Sequence, residues 1–396
     1  TLERLPHLKR VSLSQLGPEK TAEALTENQF ALAALRDGRR VPASLYNSRL
    51  RRSLEAYRCR WSRNFTPHDG FIHSPELLAS ISQWADQQFF SPSRLEIFAT
   101  CPYRFFLLKL LRLQAVQDPE TIQKISPLDK GGLVHKILDA FMRGAREKGW
   151  FPLAVQHAAW LHRLLDEVAQ EAFGEAEERG ATGYQLLWEL DSEQILADLH
   201  TFVQKEIERT DAVVPDRFEV DFGAAGSTPF QLTLPDGSCL SLTGRIDRVD
   251  IDRARSAIRV VDYKTGMYRL NEQAIFEGGR KLQLPLYLMA AAELYGLSSL
   301  EESVAEYYFV SSLGKFHVHP FTGENWEQKE KQLAQILQII TTAMRRGRFP
   351  ARPGPGKQNC KWCDYRLVCD KAVDRIHSFK VHSPELEFLG LLEDYP

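Results

Sequence analysis

Between Phe218 and Gly266 apolar and polar residues alternate with period two, in FEVDFG, FQLTLPDGSCLSLTGRIDRVDI and AIRVVDYKTG. This block constrains the fold more than any other feature. Alternation sends successive side chains to opposite faces of a strand, and PDG and DRARSA supply the turn residues that fold the segments into hairpins. The flanks repeat with helical spacing instead. Upstream, GGLVHKILDAFMRGA sets Val134, Ile137, Leu138 and Phe141 at i, i+3, i+4 and i+7, a helix with one buried face. Helical patterning continues over 150–210 through Ile195, Leu199, Phe202 and Ile207. Downstream, KLQLPLYLMAAAELYG reads as a helix, VAEYYFVSS as a strand and NWEQKEKQLAQILQIITTAMRRG as a last helix. The order predicts an α/β chain with strands grouped in its middle.

Within the strand block, Asp262 and Lys264 stand two residues apart and leave the same face. The preceding strand carries Asp247 in GRIDRVD, which a short hairpin brings beside Asp262. Two convergent carboxylates are hard oxygen ligands of the kind Mg2+ or Mn2+ takes. Phosphodiester hydrolysis needs such a cation and a group that holds the attacking water, and Lys264 suits the second role. Tyr263 points to the other face, while its main-chain carbonyl lies between the two acidic side chains and completes a metal shell. Taken alone, Asp-x-Lys is as well explained by a surface ion pair of little worth. Its company raises it: GRIDRVD, VVDYKTG and QLPLY follow one another within about 45 residues, and Gln283 and Tyr287 lie at i, i+4 on one helix face.

The order G-x-x-x-H, G-R-I-D, D-Y-K-T-G, Q-x-x-x-Y resembles the RecB-like group of the PD-(D/E)XK nuclease superfamily. Gly131 and His135 fill the first motif, Asp247 the second, Asp262 and Lys264 the third, Gln283 and Tyr287 the fourth. The resemblance implies a mixed central sheet flanked by helices, with a helical insertion at about 142–212. It implies catalysis by Asp247, Asp262, Lys264, Gln283 and Tyr287, with His135, Asp247, Asp262 and the Tyr263 carbonyl around a divalent metal. Asp139, one turn beyond His135, is expected to support that histidine; many relatives have Glu there. The resemblance covers about 91–375 and implies a DNA nuclease, an exonuclease acting on single strands or duplex ends beside a helicase subunit. A CRISPR-adaptation-type nuclease and a catalytically silent DNA-binding scaffold are the alternatives. A motor is disfavoured, since no G-x-x-x-x-G-K-[ST] occurs.

Cysteine usage adds a second feature. Cys360, Cys363 and Cys369 form C-x2-C-x5-C, and Cys101 stands far upstream in TCPYRFF, between two short helices. Thiolate chemistry alone leaves zinc and an iron–sulfur cluster open. SPSRLEIFATCPYRFF and the triplet resemble AddB-type nuclease domains, in which such cysteines hold a [4Fe–4S] cluster. That resemblance implies a cluster at Cys101, Cys360, Cys363 and Cys369 which clamps the periphery. Cys59 and Cys239 read as small buried hydrophobes.

The net charge of −2 excludes binding nucleic acid through overall charge, so any such surface is local. Residues 1–63 carry 13 Lys/Arg against 6 Asp/Glu, and 164–200 carry 1 against 10. The Arg-rich start and the run Arg345, Arg346, Arg348, Arg352 and Lys357 are candidate phosphate contacts. Residues 1–90 form a helical segment, read as the end of a preceding domain, with a linker near 64–75; residues 376–396 read as a tail. No membrane span or signal peptide is recognisable, which predicts a cytoplasmic protein. Thr1 in place of Met suggests a trimmed chain.

Overall fold

A computed structural model describes residues 18–36, 48–114, 123–210, 213–223 and 230–396. Much of the Arg-rich start, at 1–17 and 37–47, lies outside the described residues. The elements run α1 (Glu27–Arg36), α2 (Ser48–Arg60), α3 (Pro75–Gln87), α4 (Pro92–Thr100), α5 (Pro102–Phe105), α6 (Pro127–Glu147), α7 (Ala158–Glu178), α8 (Gln185–Glu208), β1 (Val214–Phe222), β2 (Phe230–Thr233), β3 (Cys239–Leu242), β4 (Gly244–Asp252), β5 (Ala257–Lys264), α9 (Gln283–Tyr295), β6 (Val304–Phe309), β7 (Val318–Thr322), α10 (Trp326–Arg345), α11 (Arg366–Cys369), α12 (Val373–Ser378) and α13 (Glu387–Glu393).

Five strands form one sheet in the order β1-β4-β5-β6-β7, while β2 and β3 form a separate ribbon. Every pairing in the main sheet is antiparallel except β5 with β6, whose parallel step encloses α9. This is the mixed sheet expected from the sequence. Strand β7 went unread because VHPFT contains Pro320 and alternates weakly; at a sheet edge the missing N–H of proline is tolerated.

The sheet separates two cores, and strand alternation assigns its side chains. In β5, Ile258 and Val260 join α3, α4, α9, α10 and α13, whereas Val261 and Tyr263 join α6, α7 and α8. Helix α6 is started by Ser126, whose hydroxyl accepts from Asp129 N, and by Pro127 at its first position. Its stripe Val134, Ile137, Leu138 and Phe141 is buried as predicted. The segment read as a tail folds back, and Phe388, Leu389 and Leu392 enter the first core. Two cysteine readings are corrected: Cys239 is exposed and Cys59 only partly buried, because Cys239 opens the ribbon strand β3 with its side chain facing out.

Under β4 and β5 lies a buried charge network. Arg248, with no exposed surface, donates to Asp250 at 2.6 and 2.8 Å and to the Tyr263 hydroxyl at 3.1 Å, and pairs with Glu206 of α8 at 2.8 Å. Arg259 reaches the same Asp250 at 2.6 Å, and Arg209 bridges Glu206 and Glu306 at 3.0 and 3.4 Å. Three guanidinium groups thus face three carboxylates across β4, β5, β6 and α8. Removing one partner strands buried charge, which costs more than the pairing contributes. We expect Arg248→Met to destabilise the fold by about 3–5 kcal/mol, read by denaturant unfolding; a loss below about 1 kcal/mol would show that the network does not hold the sheet to α8.

Candidate active site

The pairing of β4 with β5 runs from Asp252–Ala257 to Arg248–Val261 and stops there, although β5 stays paired to β6 as far as Lys264. Past Val261 the two strands fork. In the gap a side chain replaces the missing ladder bond: Asp247 Oδ2 accepts from Tyr263 N at 2.7 Å. The Tyr263 carbonyl is freed by the same fork and takes a hydrogen bond from His135 Nε2 at 3.0 Å. Because a carbonyl only accepts, Nε2 carries the hydrogen and Nδ1 faces Asp247 Oδ1, 3.2 Å away.

The fork brings together every residue singled out for the site. Asp262 Oδ1 accepts from Gln283 Nε2 at 2.6 Å, Gln283 Oε1 accepts from Lys264 Nζ at 3.0 Å, and the same amide nitrogen donates to the Tyr287 hydroxyl at 3.1 Å. Gln283 is therefore a crossbar that fixes Asp262, Lys264 and Tyr287 at once. Lys264 Nζ stands 2.5 Å from Asp262 Oδ2, so the second carboxylate oxygen is held by a buried ion pair. The ammonium also lies 4.7 Å from the centre of the Tyr307 ring.

The electrostatics follow from this crowding. Burial pushes the Asp262 carboxyl up to about 6, against the pull of Lys264 and with the push of Asp247. Burial is the largest influence on Lys264 and His135 and acts to lower both, but Asp262 with Asp247 and Glu96 for the lysine, and Asp247 with Asp262 and Glu219 for the histidine, together leave both raised. The site collects negative charge that it does not neutralise from within.

Two acidic residues escaped the sequence reading. Glu219 of β1 joins His135 and Asp247 in a trio whose ligand atoms all lie within 4.8 Å of one another. Its φ of 47° is rare for a residue with a side chain and breaks the alternation of β1, so Phe218 enters one core and Phe222 the other. FEVDFG reads as a plain strand, and no local signal marks that kink. Glu96 of α4 is the second: one carboxylate oxygen accepts from Leu282 N at 2.7 Å and from Gln283 N at 2.9 Å. The signal for it was weak: KLQLPLY offers no capping side chain before Gln283, which leaves the first N–H groups of α9 open to water or to a distant acceptor.

Other expectations are corrected. Asp139 does not support His135; it pairs with Arg143 at 2.6 Å, one helical turn away, where the longer cation outcompetes the ring. In the basic run, Arg352 is buried and donates to Ala99 O at 2.6 Å, Arg345 pairs with Asp86 at 2.9 Å, and Lys357 pairs with Asp374 at 3.0 Å. Only Arg346 and Arg348 of that run remain as candidate phosphate contacts. At the far side of α4, the four cysteines converge. Burial chiefly, then ionisation of Cys101 and Cys363, raises Cys369 to about 12. Burial likewise leads the rise of Cys101, with Cys363 adding to it, and of Cys360, with Cys101 and Cys363 adding to it.

The donor set around the fork suits a divalent cation. His135 Nδ1, Glu219 and Asp247 are gathered, and Asp262 presents a buried carboxylate beside them. Burial first, and then Asp247, raises the Glu219 carboxyl to about 6. A folded value above the unfolded one binds extra protons in the native state, so this contribution to stability is present at low pH and lost as pH rises through about 6. We therefore expect Glu219→Gln, in chelator, to be more stable than wild type at pH 8 by roughly 1–2 kcal/mol and to melt higher, with the gap closing toward pH 4; thermal melts that show no gap at pH 8 would contradict this.

The sequence profile of the PD-(D/E)XK nuclease superfamily matches residues 89–370. The chain is 33% identical over 209 residues, 51% of its length, to an ATP-dependent helicase/deoxyribonuclease subunit from Moorella thermoacetica, of which that match covers 18%. It is 32% identical over 234 residues to the protein of the same name from Symbiobacterium thermophilum, covering 53% of this chain and 18% of the relative. With the Geobacillus kaustophilus protein of that name it shares 28% over 268 residues, covering 62% and 21%. The chain thus spans about a fifth of the length of these curated relatives. The forked sheet, the acidic cluster with its lysine, and a profile match across most of the chain agree: this chain belongs to the PD-(D/E)XK nuclease superfamily.

Proposed function

We propose that this chain is the nuclease portion of a helicase–nuclease, a Mg2+- or Mn2+-dependent deoxyribonuclease that hydrolyses phosphodiester bonds in strands delivered from DNA ends. The observation that carries this reading is the trio of His135, Glu219 and Asp247 beside the buried pair of Asp262 and Lys264. His135, Glu219, Asp247, Asp262 and the Tyr263 carbonyl would hold the cation. When bound, it supplies positive charge against the developing phosphorane and lowers the pKa of water. Lys264, already an ammonium, holds and orients the attacking water and offsets charge on the non-bridging oxygens. Gln283 keeps the lysine and Asp262 in register, and Tyr287 keeps Gln283 in place. The working unit is residues 91–375, completed by α3 and α13 in its core, with α7, α8 and the end of α6 as the insertion at about 142–212, in a cytoplasmic complex whose partner is a helicase subunit, as the names of the relatives suggest.

The cysteines belong to the same proposal as a [4Fe–4S] site. What supports the reading is the four-cysteine set itself, in which burial first and then the neighbouring thiols raise Cys101, Cys360 and Cys369 across the C-terminal end of α4. The cluster ties Cys101 to the C-terminal triplet and so closes a loop around the nuclease.

Wild type and Asp262→Ala are compared on labelled single- and double-stranded DNA with Mg2+, Mn2+ or chelator. The variant is expected to lose at least about a thousandfold in rate, a barrier change of about 4 kcal/mol; equal cleavage by the two proteins defeats the mechanism. Protein purified without air is expected to be brown and to contain iron and sulfide, and Cys101→Ala to lose both along with stability. A colourless, zinc-replete protein of normal stability would replace the cluster with zinc.

A further inference from the structure

The cysteine segment and the catalytic crossbar meet on one helix, α4. Its C-terminal turn is gripped from the cysteine side: Arg352 Nη1 donates to Ala99 O at 2.6 Å, Asn359 Nδ2 donates to Thr100 O at 3.1 Å, and Arg352 N approaches Cys101 Sγ at 3.4 Å. One turn earlier on α4, Glu96 caps α9 through Leu282 N and Gln283 N. Between them, Ala99 packs against the turn before α9, where Gly279 has φ 80° and a side chain would lie 3.2 Å from the Ala99 Cβ. Only glycine permits that approach. A 13-residue helix with no capping side chain of its own is thus started by a residue 187 positions away.

We infer that Glu96 is a positioning residue: it carries the fixation of α4 by the cysteine segment to Gln283, and through it to Asp262 and Lys264. The inference rests on the nuclease reading. Glu96 touches neither substrate nor cation. It acts by setting the first turn of α9, whose leading residue is the crossbar itself. Its carboxylate also favours the positive end of that helix, a second reason for its place there. A displacement of about 1 Å in a positioning group is enough to cost orders of magnitude in rate, so a cap that merely stabilises α9 and a cap that aims Gln283 differ in what they do to turnover.

The test uses the full chain as wild type, Glu96→Ala, Glu96→Gln and Asn359→Ala. Steady-state cleavage of a single-stranded oligonucleotide in Mg2+ is measured beside hydrogen exchange of the peptide spanning 281–290. Glu96→Ala is expected to lower kcat about tenfold or more, with KM within about twofold and a melting point within a few degrees of wild type. Glu96→Gln, which keeps an acceptor oxygen, is expected to recover most of the rate. Exchange over 281–290 is expected to rise in Glu96→Ala and, less, in Asn359→Ala, but not in Glu96→Gln. Unchanged exchange in Glu96→Ala, a fall in melting point without loss of kcat, or a Glu96→Gln as impaired as the alanine variant overturns the inference. If wild type cuts no DNA while exchange responds as expected, the nuclease reading fails and the link from α4 to α9 stands.

Discussion

The active site exists because β4 and β5 part company after Val261. A continuous ladder would have used the Tyr263 N–H and carbonyl on the neighbouring strand and left no room between the two acidic positions. The fork instead turns those main-chain groups toward side chains, so that Asp247 closes one and His135 the other. What holds the strands up to that point is the network of Arg248, Asp250, Arg259 and Glu206 on the opposite face. The same residues GRIDRVD therefore carry both Asp247, the carboxylate proposed for the metal site, and, one residue on, the anchor that fixes where pairing ends.

The fork is also an electrostatic arrangement. Asp262, Glu219 and Glu96 all have raised carboxyls, reaching about 6, 6 and 7, and burial is the first cause of each. Folding spends stability to gather acidic groups that an ordinary core would exclude, as expected where a site is shaped for an ion it does not itself provide. Lys264 moderates the cost for Asp262 without cancelling it, since burial still leaves the carboxyl raised.

Much of this was legible in the sequence. Period-two alternation announces β4 and β5, the two-residue spacing puts Asp262 and Lys264 on one face, and the i, i+4 spacing puts Gln283 and Tyr287 on another, because these relations are local; that Gln283 bridges Asp262 and Lys264 appears only in the fold. Contributions that depend on where distant chain segments land were not legible. Glu219 owes its role to a backbone kink within β1, Glu96 to a cap supplied across 186 positions, and the basic run lost Arg345 and Lys357 to Asp86 and Asp374 and Arg352 to burial against the Ala99 carbonyl. Asp139 shows the converse error, a helical neighbour claimed by Arg143 before it could serve His135. The missing N-cap before Gln283 is a local deficit that can be read in advance, but the group that fills it cannot.

The central claim is that the fork is a divalent-cation site shared by its acidic residues. Anomalous diffraction from crystals soaked in Mn2+ tests it directly. The account predicts one strong peak at bonding distance, about 2.0–2.3 Å, from carboxylate oxygens of both Asp247 and Asp262, with His135 or Glu219 completing the shell. A peak bound elsewhere, or no peak at the fork in protein that still cleaves DNA with Mn2+, would contradict it.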